Sequence, residues 1–174
     1  MRPNRRVLIG GLAAGSTKGW IALGTLRWPC ALGRSGRRAH KREGDGATPL
    51  GCFELLCVLY RSDQQRRPRT GLPVRRIQPS DGWCDASADR NYNRPVRLPY
   101  PASAERMWRD DRLYDLVVVL DQNTRRRMRG GGSAIFMHVA RQGFAPTEGC
   151  IALKAPHLEQ LLARLRPGAT VIVR

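Results

Sequence analysis

The sequence predicts a mainly β fold in one domain, residues 1–174, with a few short helices. A chain of 174 residues is a typical length for one domain and is long enough to bury a hydrophobic core. Most apolar residues fall in short runs between turn-forming residues, which is the pattern of β-strands. With 41% hydrophobic and 26% charged residues, the composition excludes a disordered polycation.

The first predicted elements are two strands joined by a turn. Val7 to Ala13 and Trp20 to Leu26 are apolar, and a turn at Ser16 to Gly19 separates them. Because arginines within residues 2–6 precede the first run, the same segment also has the outline of a signal peptide. Lys18 interrupts any longer apolar segment, so the hairpin is the favoured interpretation.

The middle of the chain is predicted to hold one buried strand between exposed loops. Residues 34–46 form a charged, glycine-punctuated loop that continues into a turn at residues 48–51. Phe53 to Tyr60 is a compact apolar run and is predicted to be a buried strand. Residues 71–103 contain five prolines, which predicts a long loop. Ala104 to Arg112 is predicted to form a short helix.

The last third of the chain returns to strands and adds one amphipathic helix. Leu116 to Leu120 and Ala134 to Val139 are apolar runs and are predicted strands, the second with a histidine near its far end. Leucines at helical spacing predict a helix over Ala155 to Leu165. Thr170 to Val173 is predicted to be the closing strand.

The chain is strongly basic, with 31 Lys+Arg against 14 Asp+Glu and a formal net charge of +17. Such a charge favours a polyanionic partner, and three kinds fit: a nucleic acid, an anionic membrane surface or an acidic cell-wall polymer. A nucleic-acid-binding module is therefore a competing class of function. Its basic clusters, such as residues 125–127, fall in loops with few aromatic residues, so we expect no nucleic-acid partner.

The cysteines do not predict a metal site. Their number is five, so at least one thiol is left unpaired, and the disulfide state of Cys30, Cys52, Cys57 and Cys84 stays open. The one closely spaced pair is separated by four residues, and the chain offers no second tight ligand pair. We expect neither a metal nor a cofactor.

The residues suited to catalysis are concentrated between residues 130 and 154. His138 stands near a strand end, and Cys150 follows after a loop that contains glycine and proline and can fold back. An adjacent imidazole can take the proton of a thiol and produce a strong nucleophile, which is typical of acyl transfer. Gly149 permits a tight turn that aims backbone N–H groups at an oxyanion. Each residue alone is more typical of a buried structural role, because spacing in sequence does not establish contact.

Two ordered motifs add specificity. The run FMHVARQGFAPTEGCIAL, with His138 followed by Thr-Glu-Gly-Cys at residues 147–150, resembles the signature of the L,D-transpeptidase catalytic domain, the YkuD-like or ErfK/YbiS/YcfS/YnhG family. Residues 48–53 are similar to the family's Thr-Pro-x-Gly-x-Phe element. The resemblance spans most of the chain and is strongest to a small single-domain subgroup that carries GDGATP and GWCDASADRNYNRPV in this order. It implies a β-sandwich or barrel.

The resemblance also implies a reaction. Cys150 would be the nucleophile, His138 the proton donor and acceptor, and the Gly149 backbone part of an oxyanion hole. The substrate would be a peptidoglycan tetrapeptide stem, which forms a thioester and is transferred to an amine to give a 3→3 crosslink. An L,D-carboxypeptidase and an inactive cell-wall-binding relative are the alternatives within the family.

Further substrate contacts and the location are expectations of the same kind. Thr147, Glu148, Tyr92 and Asn93 are candidate substrate-binding residues, and Thr147 has the alternative role of bracing the nucleophile turn. Many family members carry arginine two residues after the cysteine, where this chain has Ala152. The family implies a cell-envelope or periplasmic location with attraction to anionic envelope surfaces. The weak signal-like N-terminus leaves a cytoplasmic location open, and the oligomeric state is open as well.

Overall fold

A computed structural model describes residues 6–174 and confirms the mainly β fold. Arg2 and Arg5, which belong to the signal-peptide outline, lie outside the described residues. The strands are β1 (Arg6–Gly11), β2 (Lys18–Leu23), β3 (Leu26–Ala31), β4 (Arg37–Arg38), β5 (Thr48–Pro49), β6 (Gly51–Tyr60), β7 (Val74–Arg76), β8 (Asp81–Cys84), β9 (Pro95–Arg97), β10 (Ala104–Arg106), β11 (Leu116–Leu120), β12 (Phe136–Val139), β13 (Ile151–Leu153) and β14 (Thr170–Val173). The helical elements are α1 (Ala155–Leu162) and a 3₁₀ turn at Gln142–Phe144.

Nine strands form the main sheet, in the order β11-β12-β13-β3-β2-β1-β14-β6-β7. An additional antiparallel pairing joins β11, the first strand of this order, to β6, the last but one, so the sheet closes into a barrel with β7 outside the closure. Strand β14 runs parallel to β1, with Val171 opposite Val7. Strands β8, β9 and β10 form a separate three-stranded sheet, which we call the small sheet.

Two hydrophobic clusters lie on opposite faces of the barrel wall. Along β12, Met137 belongs to the larger cluster, which also contains the buried leucines of α1. Phe136 belongs to the smaller cluster, together with Trp83 of the small sheet. The alternation follows from the two-residue period of a strand. The smaller cluster therefore packs the small sheet against the outer face of β11 and β12.

Most strand predictions are confirmed, with shifted ends. β1 and β2 form the predicted antiparallel hairpin, but Leu26 begins β3 instead of ending the second strand. The predicted strand over Ala134 to Val139 begins at Phe136, because Ala134 adopts a φ of +51° that an extended strand does not allow. The predicted C-terminal helix is confirmed and ends at Leu162, three residues early.

The predictions for residues 71–112 are partly wrong. The predicted loop contains β7, β8 and β9, and the predicted helix over Ala104 to Arg112 begins as strand β10. β10 pairs with β8, with Glu105 opposite Trp83, and the pairing leaves Met107 buried in the smaller cluster. Pro95 is tolerated because it is the first residue of β9, where a missing N–H costs least. No helix among residues 6–174 is long and apolar enough to cross a membrane.

Replacing Leu161 with alanine is expected to lower the free energy of unfolding by about 2–5 kcal/mol, because the side chain is fully buried between α1 and the barrel. Glu159→Ala, on the exposed side of the same helix, should change it by less than about 0.5 kcal/mol. Chemical denaturation followed by circular dichroism measures both values. Equal effects of the two variants would contradict the assigned core.

Candidate active site

His138 and Cys150 line one cavity of about 580 Å³ at the junction of the barrel and the small sheet. The wall carries both signs of charge. Its charged residues are Glu43, Asp85, Glu105, Arg106, Arg109, Arg141 and Glu148. A binding site with both carboxylates and guanidinium groups suits a ligand that itself carries both charges.

The two candidate catalytic residues are brought together by the parallel pairing of β12 with β13. His138 lies opposite Ala152, and Cys150 precedes Ala152 by two residues, so both side chains belong to the same face of the sheet. From the strand rise and spacing, their Cα atoms are about 8 Å apart. The sequence suggested that His138 and Cys150 lie close together, and the register of β12 against β13 places them on the same face.

The Cys150 thiol is held by two backbone groups. Its Sγ lies 3.2 Å from the carbonyl oxygen of Ala134, to which it donates, and 3.4 Å from the N–H of Phe136, from which it accepts. The residue is 8% exposed, and burial raises the pKa of the thiol to about 12. The Cys150 thiol is therefore neutral, and its proton points at the Ala134 carbonyl oxygen.

His138 is a neutral imidazole with one defined tautomer. Its Nδ1 lies 2.8 Å from the carbonyl oxygen of Val139, and a carbonyl only accepts, so Nδ1 carries the proton and Nε2 keeps its lone pair. Burial lowers the pKa of the imidazole to about 4. The ring of Tyr114 packs edge-on against it, with 5.4 Å between centroids. The side chain is thus a base above about pH 4.

The turn before Cys150 is braced by Thr147. Its hydroxyl donates to the Cys150 carbonyl oxygen at 2.6 Å and accepts from the Gly149 N–H at 3.2 Å. Gly149 has a φ of +129°, and a Cβ there would lie 2.7 Å from the Ala47 carbonyl oxygen, so only glycine fits. The Gly149 N–H already donates to the Thr147 hydroxyl. The Cys150 N–H has no acceptor among residues 6–174, so it is the N–H of this turn that is free to donate to a ligand.

The remaining candidate residues divide between the cavity and the protein interior. Thr147 and Glu148 line the cavity, although the Glu148 carboxylate is 78% exposed and is paired with Arg34 at 2.8 Å. Tyr92 and Asn93 are 3% exposed and lie outside the lining. Their expected role as substrate contacts does not agree with this placement, because their segment packs beneath the cavity wall.

Three cavity residues were missed by sequence reasoning. The Tyr114 hydroxyl donates to Glu105 at 2.6 Å, and Arg109 lies 3.6 Å from the same carboxylate. Burial raises the pKa of Glu105. Glu105 and Arg109 fall in the segment predicted as a helix, so their approach to the site depends on the unpredicted pairing of β10 with β8.

The described residues offer no evident metal site. All five cysteines are free thiols. Within residues 6–174, no group of three or more His, Cys, Asp or Glu side chains is arranged to hold a metal ion.

Alkylation of Cys150 by iodoacetamide should accelerate with pH through pH 9 without levelling off, since burial raises the pKa of this thiol to about 12 and only the thiolate reacts. Peptide mapping by mass spectrometry separates it from the exposed Cys52, which reports reagent activity in the same sample. A plateau of the Cys150 rate near pH 7 would show that the thiol is already ionised, against the geometry described.

Comparison with known proteins found one matching family model and similar solved structures. The YkuD family model, described as the L,D-transpeptidase catalytic domain, matches residues 16–173. Similar solved structures include an L,D-transpeptidase from Mycobacterium smegmatis, with 16% identity, a TM-score of 0.43 and 97% of this chain covered. L,D-transpeptidase 1 of Mycobacterium tuberculosis has 11% identity, a TM-score of 0.41 and 96% of this chain covered.

The chain spans 58% of the length of each of these two mycobacterial chains. Comparison with curated protein sequences found no match. The family model covers far more than half of the chain and includes both His138 and Cys150. The chain therefore belongs to the YkuD family of L,D-transpeptidase catalytic domains.

Proposed function

We propose that this protein is a cysteine-dependent L,D-transpeptidase that acts on peptidoglycan stem peptides, with residues 1–174 as one catalytic domain. The observation that carries the proposal is that Cys150 and His138 line the same cavity and that Nε2 of the imidazole is unprotonated. The chain also belongs to the YkuD family. A neutral thiol beside a neutral base is the resting state that general-base activation of a nucleophile requires.

Acylation begins with proton transfer from Cys150 Sγ to Nε2 of His138. The sulfur attacks the carbonyl carbon of the L-to-D peptide bond in a tetrapeptide stem, and a C–S bond forms. The C–N bond then breaks, and the leaving D-alanine takes the proton back from His138. The products are a thioester on Cys150 and free D-alanine.

Transfer to an amine completes the reaction. The side-chain amine of a diamino acid on a second stem attacks the thioester, His138 accepts its proton, and the C–S bond breaks to return the thiol. The result is a 3→3 crosslink. Water in place of the amine would release the tripeptide stem and make the protein an L,D-carboxypeptidase.

Negative charge that develops on the attacked carbonyl oxygen needs hydrogen-bond donors. The N–H groups of Gly149 and Cys150 are the candidates, and one such donor typically contributes a factor of about 10²–10³ in rate. In the resting state Thr147 holds the first of them. We therefore assign the Cys150 N–H as the principal donor, with the Gly149 N–H joining it once the turn adjusts to substrate.

Incubation with a carbapenem or a tetrapeptide stem should give a covalent adduct at Cys150, detected by intact-mass spectrometry and peptide mapping. Cys150→Ala should give no adduct, and His138→Gln should acylate about 10²–10⁴ times more slowly, which is the usual contribution of a general base. Cys52→Ala, at an exposed thiol away from the cavity, serves as the matched control and should react like the wild type. An unmodified wild type with reduced Cys150 would overturn the proposal.

We also propose a location at the cell envelope or periplasm, with peripheral attraction to anionic surfaces there and no nucleic-acid partner. A second cavity of about 790 Å³ lies between residues 39–42 and the loop that follows β11. Its lining includes His40, Arg42, Arg125, Arg126 and Arg129, and we call it the arginine groove. Together with the net charge of +17, it would retain the protein near phosphate-bearing envelope surfaces.

Binding to vesicles that contain phosphatidylglycerol should be measurable at low salt and should weaken as salt rises, because exposed charges are screened. The double variant Arg126→Glu/Arg129→Glu should bind at least ~10-fold more weakly, since each basic residue near such a surface contributes about 1 kcal/mol. Arg66→Glu/Arg67→Glu changes the net charge equally on another exposed loop and should bind more tightly than the groove variant. Equal losses in a sedimentation assay would assign retention to net charge alone.

A further inference from the structure

Asn93 is a buried side chain with every hydrogen-bonding group used. Its Oδ1 accepts from the indole N–H of Trp83 at 2.9 Å and from the backbone N–H of Ala134 at 3.1 Å. Its Nδ2 donates to the carbonyl oxygens of Gln122 at 3.0 Å and Asn123 at 2.9 Å. An amide offers two donors and two acceptor lone pairs, so its capacity is filled.

These four bonds join both ends of one loop to the small sheet. Gln122 and Asn123 lie two and three residues after β11, and Ala134 lies two residues before β12, so Asn93 closes the connection between the two strands. Gln122 adds a cross-link within this connection by donating to the Gly131 carbonyl oxygen at 2.9 Å. The position at which the chain enters β12 is therefore determined largely by one side chain.

The residue held by Asn93 is also the residue that holds the nucleophile. The Ala134 carbonyl oxygen is the acceptor of the Cys150 thiol at 3.2 Å, while the Ala134 N–H is bound to Asn93. Ala134 has a φ of +51°, a left-handed conformation that costs an alanine about 1–2 kcal/mol and needs support from its surroundings. Two hydrogen bonds thus connect the Asn93 amide to the sulfur through one residue, Ala134, in a left-handed conformation.

We propose that Asn93 is a positioning residue for Cys150, acting through Ala134 to set where the thiol stands relative to His138. This inference rests on the proposed function, because it assumes that Cys150 is the nucleophile. Asn93 does not line the cavity, so it does not touch the substrate. Its loss should slow the chemical step and leave substrate binding unchanged, since a displacement of about 1 Å at a reacting atom can cost about 10²-fold in rate.

The test compares acylation by a carbapenem in single-turnover experiments, which separate the limiting rate constant from the half-saturating concentration. Asn93→Gly removes the side chain and keeps a residue suited to the φ of +56° at this position. We expect its limiting rate constant to fall at least ~10-fold, with the half-saturating concentration within about twofold of the wild type. Asn93→Asp keeps an oxygen for the Ala134 N–H and should retain more of the rate than Asn93→Gly.

Two controls separate positioning from a general loss of stability. Leu161→Ala destabilises the larger hydrophobic cluster, away from the cavity, and its folded fraction should acylate at the wild-type limiting rate. Trp83→Phe removes one bond to Asn93 Oδ1 without removing the bond to Ala134, and it should lose less rate than Asn93→Gly. If Asn93→Gly does not fold, Asn93→Ser replaces it, because the shorter hydroxyl does not span the same partners.

A wild-type limiting rate in the folded Asn93→Gly or Asn93→Ser protein would overturn the positioning role, and so would a rise confined to the half-saturating concentration. Failure of the proposed function is a different result, because the wild type itself would then form no adduct at Cys150.

Discussion

The parallel pairing of β12 with β13 is the constraint on which the site depends. Side chains on a strand alternate between two faces, so the pairing of His138 with Ala152 also determines that Cys150 shares the face of the imidazole. A register shift of one residue would exchange His138 for Met137, which belongs to the larger hydrophobic cluster. The closed barrel, α1 and the small sheet all pack against these strands and so support this register.

Burial explains the chemical state of the site. The same packing that orders the smaller hydrophobic cluster removes water from Cys150 and His138, and both groups are uncharged as a result. Burial thus disfavours an ion pair between a Cys150 thiolate and a His138 imidazolium. Backbone groups of Ala134, Phe136 and Val139 orient the two side chains through hydrogen bonds that form while the thiol and the imidazole are both neutral.

The sequence could predict what local patterns encode. Apolar runs and leucine spacing predicted six of the strands and α1, and the His and Cys motifs pointed to His138 and Cys150, which line one cavity. The error at Ala104 to Arg112 arose because β10 is stabilised by β8, a contact that local propensity does not contain. Glu105 was missed for the same reason. Asn93 was noticed but given a substrate role, because sequence does not reveal whether a polar side chain faces a cavity or the backbone beneath it.

The pairing of β1 with β14 has a consequence for how the barrel forms. β1 and β14 are far apart in sequence but are neighbours, with Val7 opposite Val171, so the barrel can close only after β14 has been synthesised. Contacts of such long sequence separation slow folding, because much chain entropy is lost before they form. Strand β13, which follows Cys150, pairs with β3, so the cavity that Cys150 and His138 line also depends on contacts between distant segments of the chain.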